Sequence, residues 1–194
     1  MMRSLCVFCS SSDAVSDVHK RSAEELGAAI VHNGWSLIYG GTTVGLMGLV
    51  ATSVKSHGGH VVGVIPEVIA KHGISNAQAD EMIVTRDLRE RKAVMESRAD
   101  AFVALPGGYG TLEEIFEIVT LRQLNAIQKP AALLNINGFY DAIGEFIRSA
   151  SAGQFIKPEA VGLCPLIPDV PSLFDYLQHY KPIIISHKWF RDVN

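Results

Sequence analysis

Residues 101–119 read AFVALPGGYGTLEEIFEIV and combine three patterns that together indicate the fold. Residues 101–105 form an unbroken apolar run, which is typical of a buried strand. A glycine-rich turn follows, and a helix is predicted from Thr111 to Ala126. A strand that passes through a short glycine turn into a helix is the repeating unit of an α/β protein.

The same alternation of strands and helices occurs along the rest of the chain. Short apolar strands are predicted at Leu5 to Phe8, Ser36 to Tyr39 and His60 to Ile65. Strands that are apolar on both faces predict one parallel sheet with helices on both sides, a single doubly wound α/β domain over residues 1–194. Residues 181–194 are too apolar for a solvated tail, so we expect them to pack on the domain or on a dimer partner.

The composition excludes several functional classes. The 194 residues fit one domain at ~150 residues per domain, and 48% hydrophobic with 19% charged residues indicate a globular chain. The net charge of −3 without a basic cluster argues against nucleic-acid binding. No apolar run approaches the ~20 residues of a membrane span, and three cysteines do not form a disulfide framework. We expect a cytoplasmic protein with no nucleic-acid or membrane partner.

A first glycine-rich turn, YGGTTVGLMG at residues 39–48, follows a strand and opens a helix. Such a turn either directs amides at an anion or lets the helix pack closely on the strand, and the spacing leaves both open. It is not a phosphate-binding P-loop, because Leu46 and Met47 stand where lysine and serine or threonine would hold phosphate and magnesium.

The second turn places amides and a carboxylate close together. Gly108, Tyr109 and Gly110 put backbone amides at the start of the next helix, and the Thr111 hydroxyl suits a phosphate monoester. Glu114 lies about one helical turn further on. Its carboxylate either completes a capping box with Thr111 or acts in catalysis, and the pattern alone leaves both readings open.

The helix before this strand supplies the cations Arg91 and Lys92. They either meet phosphate, pair with Glu114, or belong to a solvated charged face. The run Ser10 to Asp13 follows the first strand and either caps the first helix or lines a ligand cleft. The histidines lack metal-ligand spacing, so no metal is expected.

These segments resemble the LOG (LONELY GUY) family, the cytokinin riboside 5′-monophosphate phosphoribohydrolases that are often mislabelled lysine decarboxylases. The resemblance rests on residues 39–48, on Arg91-Lys92-x-x-Met95 and on residues 106–114, and it runs from about Leu5 to Ile156. It implies a Rossmann-like fold, a homodimer and hydrolysis of the N-glycosidic bond of N6-prenylated adenosine monophosphate. Many bacterial members also accept AMP, as AMP nucleosidases do. No cofactor is implied.

Matched by motif, Arg91 and Glu114 are the implied catalytic pair. The residues implied to line the nucleotide site are Lys92, Gly108, Tyr109, Gly110, Thr111, Leu112, Glu113 and Thr120. Further candidates for the pocket are Gly40, Gly41, Gly45 and Met95.

The sequence departs from the family pattern around the pocket. Thr42 replaces a third glycine, Leu88-Arg89 replace Met-His, and Leu121 replaces Trp. These departures bear on which base is accepted. The residues also leave a second hypothesis, a non-catalytic carrier of a nucleotide or phosphorylated cofactor on the same fold, and a third, a nucleosidase for a different nucleotide.

Overall fold

A computed structural model describes residues 2–186, in which seven strands pair in parallel into one sheet. The strands are β1 (Arg3–Phe8), β2 (Trp35–Tyr39), β3 (Val61–Pro66), β4 (Glu81–Thr85), β5 (Ala101–Ala104), β6 (Ala131–Leu134) and β7 (Leu166–Ile167). The helices are α1 (Asp17–His32), α2 (Gly45–Ser56), α3 (Glu67–Ala70), α4 (Leu88–Arg98), α5 (Tyr109–Gln123), α6 (Asp141–Ala152) and α7 (Val170–Gln178), with 3₁₀ turns at Ile136–Gly138 and Pro158–Leu163. The strand order is β4-β3-β2-β1-β5-β6-β7, which confirms the predicted doubly wound α/β class.

Both faces of the sheet are buried. In β1, Leu5 and Val7 face a core layer shared with α1, α2 and α7, whereas Cys6 and Phe8 face a layer shared with α4 and α5. Successive side chains of a strand point to opposite faces, so the buried stretch of β1 from Leu5 to Phe8 is apolar at every position. This explains why the strands read as unbroken apolar runs.

Helix α5 begins at Tyr109, two residues before the predicted start at Thr111. Gly108 takes the N-cap position, and the Thr111 side chain is buried inside the first turn. The prediction placed the boundary at the residue with the best capping side chain. The helix instead starts without a capping side chain, because its N-cap residue is Gly108, and glycine is accepted at N-cap positions.

Residues 67–80 contain the turn α3 and are tied to the first glycine turn. The Asn76 amide N–H bonds the Gly41 carbonyl at 2.9 Å, and the Asn76 side chain donates to the Tyr39 hydroxyl at 2.9 Å. The Thr43 amide bonds the Ile74 carbonyl at 2.9 Å. The segment therefore closes over the carboxyl end of β2.

The chain after α7 returns to the domain as far as residue 186. Ile185 is buried, and the Asn125 side chain bonds both its N–H and its carbonyl, at 3.1 and 2.7 Å. Residues 187–194 of the predicted tail lie outside the described residues. Within residues 2–186, no helix is long and apolar enough to cross a membrane.

We expect Gly45→Ala to destabilise the fold more than Gly58→Ala. Both glycines have positive φ, +60° and +79°, so both substitutions strain the backbone by about 1–2 kcal/mol. A Cβ at Gly45 would also lie 2.4 Å from the Ser11 carbonyl carbon, whereas nothing lies within 4 Å of one at Gly58. Urea unfolding should therefore give a loss of about 3 kcal/mol or more for Gly45→Ala. Equal losses of unfolding free energy in the two variants would contradict the close approach of α2 to the loop after β1.

Candidate active site

A cleft opens where β1 and β5 lie side by side at the centre of the sheet. From β1 the chain turns towards β2, and from β5 it turns towards β6 on the other side. The loops that leave these two strands therefore separate, and ligands bind at such a switch point in open α/β sheets. The cleft has a volume of about 280 Å³. It is lined by Cys9, Ser10, Ser11, Met47, Gly108, Tyr109, Gly110, Thr111 and Glu114.

A second cleft of about 460 Å³ lies on the other side of the α5 N-terminus. It shares Tyr109, Gly110 and Glu114 with the first and is completed by Leu88, Arg89, Lys92 and Glu113. The start of α5 is therefore a ridge between two clefts. The Glu114 carboxylate borders both.

The glycines of the second turn serve two different purposes. A Cβ at Gly107 would lie 2.1 Å from the Thr111 hydroxyl, so the turn closes only with glycine there. At Gly108 and Gly110 a Cβ would meet nothing within 4 Å, and neither has a positive φ. Packing in the described chain does not require glycine at these two positions, which face the cleft with bare backbone.

The amides at the start of α5 are available to a ligand. The first amides of a helix have no partner within it, and no side chain of the described residues caps α5. Together with the helix dipole, these N–H groups favour an anion. The capping-box alternative is wrong, because Thr111 is inside the helix and Glu114 turns towards Arg91 instead of a cap amide.

Arg91 and Glu114 form a buried ion pair. The Arg91 Nη2 to Glu114 Oε1 distance is 3.0 Å, and the side chains are only 8% and 9% exposed. Burial raises the pKa of Glu114 above its ordinary value, and the positive charge of Arg91 opposes that rise. The Arg91 Nε is buried without a hydrogen-bond partner among the described residues. Glu114 thus borders the cleft, whereas the guanidinium of Arg91 lies buried behind it.

Lys92 points to the outer face of α5. Its ammonium pairs with Glu113 and, at 2.7 Å, with Glu117, while its stem borders the second cleft. The charged-face interpretation therefore holds for Lys92. It does not hold for Arg91, the neighbouring residue that turns inwards to the sheet.

The amides of the first glycine turn are already bonded within the protein. The Gly45 N–H donates to the Asp13 carboxylate at 2.9 Å, and the Leu46 N–H donates to the Ser10 carbonyl at 2.9 Å. Close packing therefore accounts for this turn at Gly45. Gly40 lies under the Arg91 guanidinium, and Gly41 has a φ of +75° against β3.

Three further candidates, like Arg91 and the candidate glycines of the first turn, line neither cleft within this chain. Met95 is fully buried in the core below the sheet, and Leu112 is half-buried against the same core. The Thr120 hydroxyl donates to the Phe116 carbonyl, and Thr120 lines a separate apolar groove of about 250 Å³ between α5, α6 and the 3₁₀ turn at Pro158–Leu163. Residues 2–186 of one chain thus do not bring Thr120 to Glu114.

The structure adds Cys9 and Met47 to the residues that the sequence suggested. Burial raises the pKa of the Cys9 thiol well above its ordinary range, which disfavours the reactive thiolate. Ser10 and Ser11 line the cleft, one of the two roles expected for the run after the first strand. The feature of the sequence that could have indicated Cys9 as a cleft residue is its position directly after a central strand.

Comparison with known proteins identifies the family. A family model described as "Possible lysine decarboxylase" matches residues 47–177. A rice (Oryza sativa subsp. japonica) protein named probable cytokinin riboside 5′-monophosphate phosphoribohydrolase LOGL9 is 44% identical over 181 residues, 93% of this chain and 80% of the relative. The chain belongs to the LOG family.

Other members and structural neighbours of the LOG family agree with this assignment. The Arabidopsis thaliana cytokinin riboside 5′-monophosphate phosphoribohydrolase LOG5 is 40% identical over 189 residues, 95% of this chain and 83% of the relative. Among solved structures, the molybdenum cofactor carrier protein MCP of Chlamydomonas reinhardtii superposes with a TM-score of 0.70 at 25% identity. That superposition covers 92% of this chain and 97% of the carrier, so the LOG fold is shared with a carrier protein.

Two glycine substitutions separate folding from ligand contact in this LOG protein. We expect Gly107→Ala to lose about 1–3 kcal/mol of unfolding free energy, because its Cβ overlaps the Thr111 side chain. Gly110→Ala should be neutral or stabilising by up to about 1 kcal/mol, because its Cβ enters open space in the first turn of a helix. Calorimetric titration should nevertheless show weaker AMP binding by Gly110→Ala. An unchanged affinity for AMP would contradict the prediction that the ligand binds at this turn.

Proposed function

We propose that this protein hydrolyses the N-glycosidic bond of adenosine 5′-monophosphates, N6-prenylated ones included, to the free base and ribose 5-phosphate. The observation that carries the proposal is the buried Arg91–Glu114 pair beside the uncapped amides of α5 at the switch point of the sheet. The names of the rice and Arabidopsis relatives support the same reaction.

The 5′-phosphate binds at the start of α5. The amides of Gly110 and Thr111 and the Thr111 hydroxyl supply donors, and the helix dipole adds positive potential. Binding energy from the phosphate, which does not react, then holds the sugar over Glu114. The cation Lys92 is already paired with two carboxylates, so backbone amides carry most of this recognition.

Hydrolysis consumes one water molecule. The C1′–N9 bond breaks with its electron pair moving to the base, which takes up a proton, while the ribosyl group passes through an oxocarbenium-like state. Glu114 stabilises this positive charge and accepts a proton from the water whose oxygen bonds to C1′. The positive charge of Arg91 opposes the rise in the pKa of Glu114 that burial causes, and so favours the ionised carboxylate.

The base extends into the second cleft. Leu88 and Tyr109 are 51% and 96% exposed at its wall, an apolar surface against which an adenine ring or a prenyl group packs. Arg89 stands beside Leu88 at the pair of positions where this chain departs from the family pattern. We expect base preference to depend on these residues.

Four further expectations belong to this proposal. The protein acts as a homodimer in the cytoplasm, on a small-molecule nucleotide, without a metal or organic cofactor. The carrier hypothesis remains as a second candidate, because the fold is shared with the Chlamydomonas carrier. The two functions differ in one observable, which is whether a bound nucleotide is recovered intact.

Chromatography of the protein incubated with AMP, or with isopentenyladenosine monophosphate, tests the reaction. We expect release of base and ribose 5-phosphate, and a loss of ~10²–10⁴-fold in kcat for Glu114→Gln, because the general base is removed. Glu117→Gln, a change to the outer face of the same helix, is the matched control and should retain activity. Stoichiometric binding with recovery of intact nucleotide by the wild-type protein would instead favour the carrier.

The pH dependence of kcat/KM tests the role of the ion pair. Glu114 must be ionised to act as a base, and burial raises its pKa, so activity should fall on the acid side above the ordinary pKa of a glutamate. Removing the guanidinium in Arg91→Gln removes the opposing effect, which raises this pKa further. The acid limb of the residual activity should therefore move to higher pH. An acid limb that stays in place or moves to lower pH would contradict the assignment of this limb to Glu114 paired with Arg91.

A further inference from the structure

Gly40 lies against the nitrogen of Arg91 that pairs with Glu114. A Cβ added at Gly40 would be 2.6 Å from Arg91 Nη2 and 3.4 Å from Cζ. The same Nη2 bonds the Glu114 carboxylate at 3.0 Å. The φ of Gly40 is not in the left-handed region, so backbone conformation does not require glycine there. What the site requires is the absence of a side chain.

A Cβ added at Gly40 would meet the ends of two side chains, those of Arg91 and Met47, and no backbone atom. The Arg91 side chain is 8% exposed, with Glu114 bonded to its Nη2 and the Gly40 backbone beside that atom. The Met47 sulfur would lie 2.9 Å from the same added Cβ, and it accepts a bond from the Thr42 hydroxyl at 3.3 Å. A methyl group at residue 40 would therefore displace Nη2 from the position in which it pairs with the carboxylate.

We propose that Gly40 is a positioning residue, whose missing side chain holds the Arg91 guanidinium in the orientation that pairs Nη2 with Glu114. Gly40 itself contacts no reacting atom and acts through Arg91. The kinetic part of this inference rests on the proposed hydrolase function. The structural part is a steric coupling between two residues that are 51 positions apart in the chain.

Gly40→Ala tests the kinetic part. We expect kcat for AMP hydrolysis to fall ~10²-fold, the loss that a displacement of about 1 Å in a catalytic group can cause. KM should change little, because the phosphate binds at α5. The acid limb of the pH profile should move to higher pH, as for Arg91→Gln. A folded Gly40→Ala protein with wild-type kcat and pH profile would overturn the proposal.

A double-mutant cycle with Arg91→Lys tests the steric coupling without any assay of activity. Lysine has no atom at the place of Nη2, so Gly40→Ala should be tolerated far better in the Arg91→Lys protein than in the wild type. We expect the cost of Gly40→Ala in the unfolding equilibrium constant to shrink by ~10-fold or more in that background. If Gly40→Ala alone does not fold, adding Arg91→Lys should restore folding.

Gly144→Ala is the matched control for the cycle. This glycine is buried in α6, and its Cβ would lie 3.0 Å from Leu166 Cδ2, so the substitution is crowded but does not involve Arg91. Its effect should be the same in both backgrounds. Equal costs of Gly40→Ala in both backgrounds would overturn the proposal. Absence of hydrolysis by the wild type would instead refute the proposed function, and the unfolding cycle would still decide the role of Gly40.

Discussion

The hydrogen bonding of β1 to β5 determines where everything else in the molecule lies. Leu5 to Phe8 pair in register with Ala101 to Ala104, which joins the first and fifth strands of the chain at the centre of the sheet. Because the chain leaves these strands in opposite directions, the connections that follow them diverge. The opening between them receives the loop after β1 on one side and the start of α5 on the other. The cleft is thus a consequence of strand order.

The buried ion pair is the costly feature of this cleft. Taking two charges out of water carries a desolvation penalty that their attraction does not always repay, so a buried pair is weak evidence for a stabilising role. For Glu114 the balance is visible in its raised pKa, which means that burial outweighs the attraction of Arg91. A carboxylate held in this way is a stronger base than an exposed glutamate. This favours a chemical role for the pair over a structural one.

The glycines of the two turns differ in what they make room for. Gly45 lets α2 approach the loop after β1, Gly107 makes room for the Thr111 side chain, and Gly40 makes room for a guanidinium. Gly108 and Gly110 face open space instead. The two glycine-rich motifs look alike but differ in their backbone surface. In the first turn the Asp13 side chain accepts from the Gly45 amide, whereas within the described chain no side chain caps the amides at the start of α5.

The sequence by itself determined the α/β class, the family and the short list of candidate residues. Apolar runs alternating with helical segments are local patterns, and motifs such as residues 106–114 are recognisable without coordinates. Tertiary structure alone decided the contacts of Arg91, Lys92 and Gly40, because adjacent helix positions point in different directions and contacts over 51 positions leave no local pattern. It also decided between cap and ion pair for Glu114, because its partner Arg91 lies on another helix, and it placed Thr120 on a separate groove.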